Sequence, residues 1–273
     1  MDLTAAIRRV QPSIVQITFY AHDVPGEGTT RQPINLHGPF GTGFVASLEG
    51  HIITANHVVE NGFNALKSIE SKFKNVSVGF AYPNTQNMRG NFTLMNFDLI
   101  EADKVHDIAL LKLKSARIPR MFADKPALEL APVTLNPTRP EDGAVIGVSG
   151  YPLNQSVLVT NGGFMATSWA FDLQELKLPG APEFYRKLDI ADSYLADINV
   201  NPGNSGGPVY LASDGSVIGV CVAYLPTSVR DDTGNTANYY YSSGLAVVVP
   251  SRYVCDLLKR HTEGQTSKVQ PHS

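Results

Sequence analysis

The segment Asn201-Pro202-Gly203-Asn204-Ser205-Gly206-Gly207-Pro208-Val209 sets one serine in a tight glycine turn between two apolar stretches. Glycine takes backbone conformations that other residues resist, and it lets a substrate carbonyl come close to main-chain N–H donors. Acyl transfer needs that approach, because negative charge develops on the carbonyl oxygen in the transition state. By itself a glycine turn containing a serine is most often a plain hairpin turn. The chemistry also requires a base of near-neutral pKa to activate the hydroxyl, and a buried carboxylate to orient that base. Upstream, Ile52-Ile53-Thr54-Ala55-Asn56-His57 is an apolar run ending in a histidine, and His106-Asp107-Ile108-Ala109-Leu110-Leu111 opens an apolar run with an aspartate. A lone histidine at a strand end usually caps or packs, and a lone aspartate before a strand usually makes a turn. All three types in one chain, each beside an apolar strand, select His57 as base, Asp107 as orienting acid and Ser205 as nucleophile.

The elements that must position these groups read as β-structure. Gly 23 and Pro 18 in 273 residues, with many short apolar runs between turn clusters, favour strands over helices. A short helix is expected at 3–10, stopped by Pro12, followed by strands at 13–20, 40–47 and 51–55. A helix around Ala65 to Phe73 and extra hairpin material at 76–100 fill the long interval between His57 and Asp107. After a proline-rich passage at 114–142, strands are expected at 144–149, 156–160, 164–170, 208–212, 217–224 and 244–249, and a terminal helix at Tyr253 to Arg260. No internal repeat is visible. Gly203-Asn204-Ser205-Gly206-Gly207 also fits the Gly-x-Ser-x-Gly elbow of α/β-hydrolases, but that fold places its acid and then its histidine after the serine. Downstream of Ser205 the histidines are His261 and His272, at the edge of and within a polar tail. The residues after the serine also read as extended rather than helical, so the elbow is rejected.

With these blocks in place the chain resembles a trypsin-like serine peptidase, most closely the protease domain of the HtrA family. Further matching segments are Ile14-Val15-Gln16-Ile17, Gly41-Thr42-Gly43-Phe44-Val45, Val145-Ile146-Gly147 with Gly150-Tyr151-Pro152, and Gly244-Leu245-Ala246-Val247 with Pro250. The resemblance implies an all-β fold of two perpendicular six-stranded barrels with short terminal helices. It places one protease domain over 1–262, with barrels at about 13–115 and about 143–250, and a disordered tail at 263–273. It also implies a serine endopeptidase working through an acyl-enzyme on unfolded or exposed protein segments. Gly203 and Ser205 would donate the oxyanion-hole N–H groups. Asn199 would lie at the base of the primary pocket, with Val222, Ala223 and Tyr224 along its wall. No aspartate stands at that base, so a small or medium apolar residue is expected before the scissile bond. Digestive relatives carry an acid immediately before the serine; Asn204 stands there in this chain, so activation by N-terminal cleavage is not expected. Loops at 170–190 and 225–241 flank the site and are long enough to serve as lids. The competing functional class is a latent or non-catalytic protease-fold protein that binds other chains in the manner of a chaperone; an esterase would differ only in substrate.

Composition narrows the partners. A formal net charge of −3 gives no electrostatic case for nucleic acid. No apolar run approaches the ~20 residues needed to span a bilayer. No cofactor or metal is expected, since no Cys or His pair has ligand spacing. The expected partners are protein or peptide substrates and further copies of the chain, a trimer by family analogy through Phe19 and Tyr20. Cys221 and Cys255 sit among apolar neighbours and read as buried free thiols. The first residues lack the basic and apolar regions of a secretory signal. Together these lead to the expectation of a cytoplasmic or otherwise non-secreted protein.

Overall fold

The computed structural model describes residues 3–23, 34–70, 75–83, 92–114, 130–154, 157–166, 192–230 and 236–266. After a short helix α1 (Thr4–Val10) come β1 (Ile14–Asp23), β2 (Ile34–Val45) and β3 (His51–Ala55), helix α2 (Asn56–Glu70), and then β4 (Asn75–Pro83), β5 (Phe92–Asp103) and β6 (Ile108–Leu113). The second half holds β7 (Val145–Gly150), β8 (Val159–Met165), β9 (Tyr194–Asp197), β10 (Pro208–Leu211), β11 (Val217–Arg230) and β12 (Thr236–Pro250), closed by helix α3 (Ser251–Thr266).

Each half closes into a six-stranded barrel, and the two share one strand order. The first runs β1-β2-β3-β6-β5-β4 and the second β7-β8-β9-β12-β11-β10. All neighbours are antiparallel, with β4 returning to β1 and β10 to β7. Closure leaves no exposed edge in either ring. The first interior is filled by side chains such as Phe44, Ile52, Ile53, Leu110 and Leu111, and the second by Ile146, Val148, Val209, Ile218 and Val248. Every residue of β3 is buried, His51 and Thr54 included, so its sequence shows no alternation of apolar and polar positions. Val254 and Leu257 of α3 are buried in a cluster that draws on both barrels, with Leu111 of the first and Val220 of the second, and the helix packs on β11 and β12 as well as on β6.

Residues 156 and 167–170 lie outside the described residues; within them, the expected strands at 156–160 and 164–170 are joined as the single strand β8. Its Gly162-Gly163 pair, read as a break, answers close packing: a Cβ on Gly163 would lie 2.2 Å from the Asp197 carbonyl oxygen of β9. The helix expected near 65–73 begins at Asn56, directly off β3, because Val58 and Val59 bury against the barrel. Strand β9 was not anticipated. Much of 225–241 is paired ribbon, with Thr227 opposite Tyr241 and Ser228 opposite Tyr240. The 170–190 segment and the side chains of Phe19 and Tyr20 fall outside the described residues. Cys221 and Cys255 are both free thiols; burial pushes Cys221 up to about 12, and it raises Cys255 as well.

Candidate active site

Strands β3 and β6 are antiparallel neighbours ending at the pair Ala55–Ile108. The next residues outward, Asn56-His57 opening α2 and Asp107 closing the turn before β6, therefore meet at the mouth of the ladder. Asn56 N–H donates to the Asp107 carbonyl at 2.9 Å, adding one more rung. The Asp107 carboxylate accepts from His57 twice, from the backbone N–H at 2.8 Å and from ring Nδ1 at 2.6 Å. An ionised carboxylate only accepts, so Nδ1 is the donor, and in the neutral imidazole this leaves the lone pair on Nε2. Asp107 is buried, 2% exposed, so its charge is spent on this one partner residue rather than on water. It closes the four-residue turn Lys104–Asp107 between paired Asp103 and Ile108, and its φ of 54° lies in the left-handed region. Aspartate tolerates that region better than most residues, at a cost of about 1–2 kcal/mol.

Ser205 arrives from the other barrel. Thr42 of β2 ties the nucleophile turn to the first barrel: its N–H donates to the Ser205 carbonyl at 2.8 Å, and its Oγ1 donates to the Gly203 carbonyl at 2.7 Å. The same Oγ1 accepts from Tyr151 N–H at 2.9 Å, while Thr54 Oγ1 donates to the Thr42 carbonyl at 2.6 Å. Gly41 fills the space between Ser205 and the helix that bears His57; a Cβ there would lie 2.9 Å from the Ser205 carbonyl oxygen and 2.6 Å from a Val58 methyl. At Gly206, with φ 85°, a Cβ would lie 2.1 Å from the Thr42 carbonyl oxygen, so only glycine fits.

The backbone N–H groups of this turn divide into two sets. Asn204 N–H donates to Asn201, Gly206 N–H to Cys221 and Gly207 N–H to Asn204, all to carbonyls. Among the described residues no acceptor takes the N–H of Gly203 or of Ser205. The peptide groups that carry these two free donors are fixed from behind. The Pro202 carbonyl accepts Leu153 N–H at 2.5 Å, and the Asn204 carbonyl accepts Gly207 N–H at 2.9 Å. In a trans peptide the N–H points opposite the C=O, and no cis peptide is present among the described residues. Both free N–H groups are thus aimed away from the protein contacts that hold their carbonyls.

Other residues singled out in the sequence lie as follows. Asn199 is exposed between β9 and the nucleophile turn, and Asn161 Nδ2 donates to its carbonyl at 2.8 Å. Val222, Ala223 and Tyr224 follow one another on β11, the first two buried and the third half-buried. Asn204 is fully buried, and neither its Oδ1 nor its Nδ2 has a hydrogen-bond partner. A carboxylate at that position would be an unpaired buried charge, which explains an amide where digestive enzymes carry an acid. Ser205 Oγ makes no hydrogen bond among the described residues; such contacts are often long in unliganded sites and tighten on substrate binding. Among the described residues no group of three or more His, Cys, Asp or Glu could hold a metal ion. The sequence reading missed Thr42 and Leu153 as site residues, because both act on the turn through main-chain atoms or one buried hydroxyl.

A family model described as a trypsin-like peptidase domain matches residues 41–220. The chain belongs to the trypsin-like peptidase family. Within it the chain is similar to DegP- and HtrA-type proteins. It is 30% identical over 189 residues to a probable periplasmic serine endoprotease, DegP-like, of Chlamydia pneumoniae, covering 69% of this chain and 29% of that protein. It is 25% identical over 238 residues to the chloroplastic Protease Do-like 1 of Arabidopsis thaliana, covering 85% of this chain and 44% of the relative. The chain thus spans less than half the length of the curated relatives it matches. Among solved structures, the HtrA-type protease AlgW with a decapeptide superposes with a TM-score of 0.62 at 18% identity, over 96% of this chain and 68% of that one. This likeness carries the two-barrel, chymotrypsin-like fold of a trypsin-like peptidase.

One expectation is overturned by these relatives. The DegP-like proteins of Chlamydia pneumoniae, Chlamydia trachomatis and Halomonas elongata all carry periplasmic in their names, against the reading of a cytoplasmic or non-secreted protein. That reading leaned on few cysteines and on first residues unlike a secretory signal. Two closed barrels of this size bury enough apolar surface to fold without bridges, so a low cysteine count in this trypsin-like peptidase does not report its compartment.

Proposed function

We propose that the chain is a serine endopeptidase that cleaves exposed or unfolded polypeptide through an acyl-enzyme. In this mechanism Ser205 Oγ attacks the scissile carbonyl while His57 Nε2 takes its proton. The C–N bond then breaks, and His57 returns the proton to the leaving amine. Water, activated by the same imidazole, releases the acyl group from Ser205 and restores the hydroxyl. Asp107 holds the Nδ1–H tautomer and stabilises the imidazolium that forms.

The observation that carries this reading is the pair of unbonded, back-anchored N–H groups of Gly203 and Ser205 beside a nucleophile turn stitched to the His57–Asp107 barrel. Two such donors suit the oxyanion, and each is worth ~3 kcal/mol in the transition state. The AlgW structure with a decapeptide supports a peptide substrate for this chain too. Oligomer formation through the first strand stays part of the proposal by analogy with the family.

A fluorophosphonate probe with adduct mapping tests this reading. Labelling confined to Ser205, abolished in Ser205→Ala and slowed by roughly 10⁴ in Asp107→Asn, is the expected result. A folded sample that neither labels nor hydrolyses casein would instead favour the latent or non-catalytic protease-fold protein.

A further inference from the structure

The left-handed turn that presents Asp107 is gripped from the opposite barrel's terminal helix. His106, the residue before Asp107, stacks on Tyr253 of α3 with ring centroids 3.6 Å apart and planes at 21°. Asp103 holds the other side of the turn. Its Oδ1 accepts Val105 and His106 N–H, each at 3.1 Å, and its Oδ2 accepts His106 Nδ1 at 2.8 Å. Tyr253 is itself fixed. The Arg252 guanidinium lies 5.0 Å from its ring centroid, and Arg252 pairs with Asp192 just before β9. The buried neighbours Val254 and Leu257 seat the helix in the core.

We propose that Tyr253 is a positioning residue for the catalytic acid, holding the Lys104–Asp107 turn by its stack on His106 so that the Asp107 carboxylate stays aimed at His57. This deepens the peptidase reading and rests on it. Three observations point the same way. The turn needs a restraint, because Asp107 sits at φ 54° without being glycine. Besides the bonds that Asp107 itself makes with Asn56 and His57, the turn reaches α2 through the Lys104–Glu60 pair, whose side chains are 74% and 47% exposed. Exposed pairs of that kind contribute little. The stack, by contrast, is face to face and part-buried, and it connects the acid to a helix rooted in the second barrel. The grip therefore acts across the same boundary that Ser205 must bridge to reach His57.

The test compares Tyr253→Ala, Tyr253→Leu and Tyr253→Phe in the full chain. Peptidase kinetics are read together with the downfield proton resonance of His57 Nδ1–H, which reports the bond to Asp107 without any turnover. Tyr253→Phe keeps the stack and is expected within twofold of the parent in kcat. Tyr253→Ala is expected to lose about tenfold in kcat with KM within twofold, and to shift or broaden the His57 resonance. Tyr253→Leu keeps apolar cover over the core without a ring; should the alanine variant not fold, the leucine variant is expected to show the same kcat loss at near-parent thermal stability. An unmoved resonance and parental kcat in Tyr253→Leu would overturn the proposal, as would equal losses in Tyr253→Phe and Tyr253→Ala. If the parent neither labels nor hydrolyses, the peptidase reading fails, while the His57 resonance across the three variants still decides whether Tyr253 positions Asp107.

Discussion

Thr42 and Ser205 are joined across the boundary between the barrels, with the Thr42 N–H on the Ser205 carbonyl at 2.8 Å. The threonine hydroxyl adds the Gly203 carbonyl and Tyr151 N–H to the same knot. One buried residue of the first barrel thereby fixes both ends of the tripeptide that holds the nucleophile. Thr42→Val keeps shape and backbone but removes the hydroxyl that the Gly203 carbonyl and Tyr151 N–H share. It is expected to cost about 1–3 kcal/mol, read as a lower urea midpoint, together with a fall in kcat at little-changed KM.

Leu153 offers its main-chain N–H to the Pro202 carbonyl from a φ of 54°. Leu153→Pro removes the donor and forces φ near −65°, freeing the Pro202–Gly203 peptide to turn. Acylation by the fluorophosphonate probe is expected to slow by about 10², while Leu153→Gly, which keeps the donor and suits the backbone, should label at close to the parent rate. Equal labelling of the proline variant would show that the Gly203 N–H is held by other means.

Asn204→Asp is a small change in shape and a large one in charge. The side chain is fully buried and both of its polar atoms already lack partners. Ionisation there is opposed by desolvation, so the new carboxyl should titrate well above its ordinary value. Chemical denaturation should show the variant losing stability relative to the parent as pH rises past the ordinary carboxylate range.

His51 gives the opposite slope. Burial first, then the nearby Lys112 and His261, lower its pKa from 6.5 to about 4, with Glu49 partly opposing them. Its Nδ1 is paired with Ser47 Oγ at 2.7 Å, and its ring meets His261 of α3 edge-on at 5.1 Å. The unfolded chain binds this proton more readily than the folded one, so the contribution is intact above about pH 6.5 and is lost as pH falls towards 4. Urea midpoints measured across that window should drop in the parent and flatten in His51→Gln.

Much of this was legible in the sequence where side-chain type carries the signal. The bounds expected for strand β3 match the structure because all five of its residues are buried and the Asn56-His57 pair follows directly. His57, Asp107 and Ser205 stood out by type and setting, and the structure brings the first two within 2.6 Å. What escaped is what the backbone does. Strand β9 is four residues long and alternates too briefly to register. Gly162-Gly163 looked like a turn because a sequence shows missing side chains and not the strand that comes close to them. The common strand order of the two barrels leaves no repeat in the residues, since closure constrains pairing and burial rather than identity. Leu153 and Thr42 were missed for the same reason: an amide direction has no letter.

The shared strand order also bears on how the protein assembles. Each barrel is built from strands contiguous in the chain, so each can close using pairings internal to its own half. The Thr42–Ser205 and His106–Tyr253 contacts join residues far apart in sequence and form only once both rings exist. Long-range contacts of this kind come late in folding. During refolding from urea, the β-sheet signal should therefore return before the serine becomes reactive, and the interval between the two would time the docking of one finished barrel on the other.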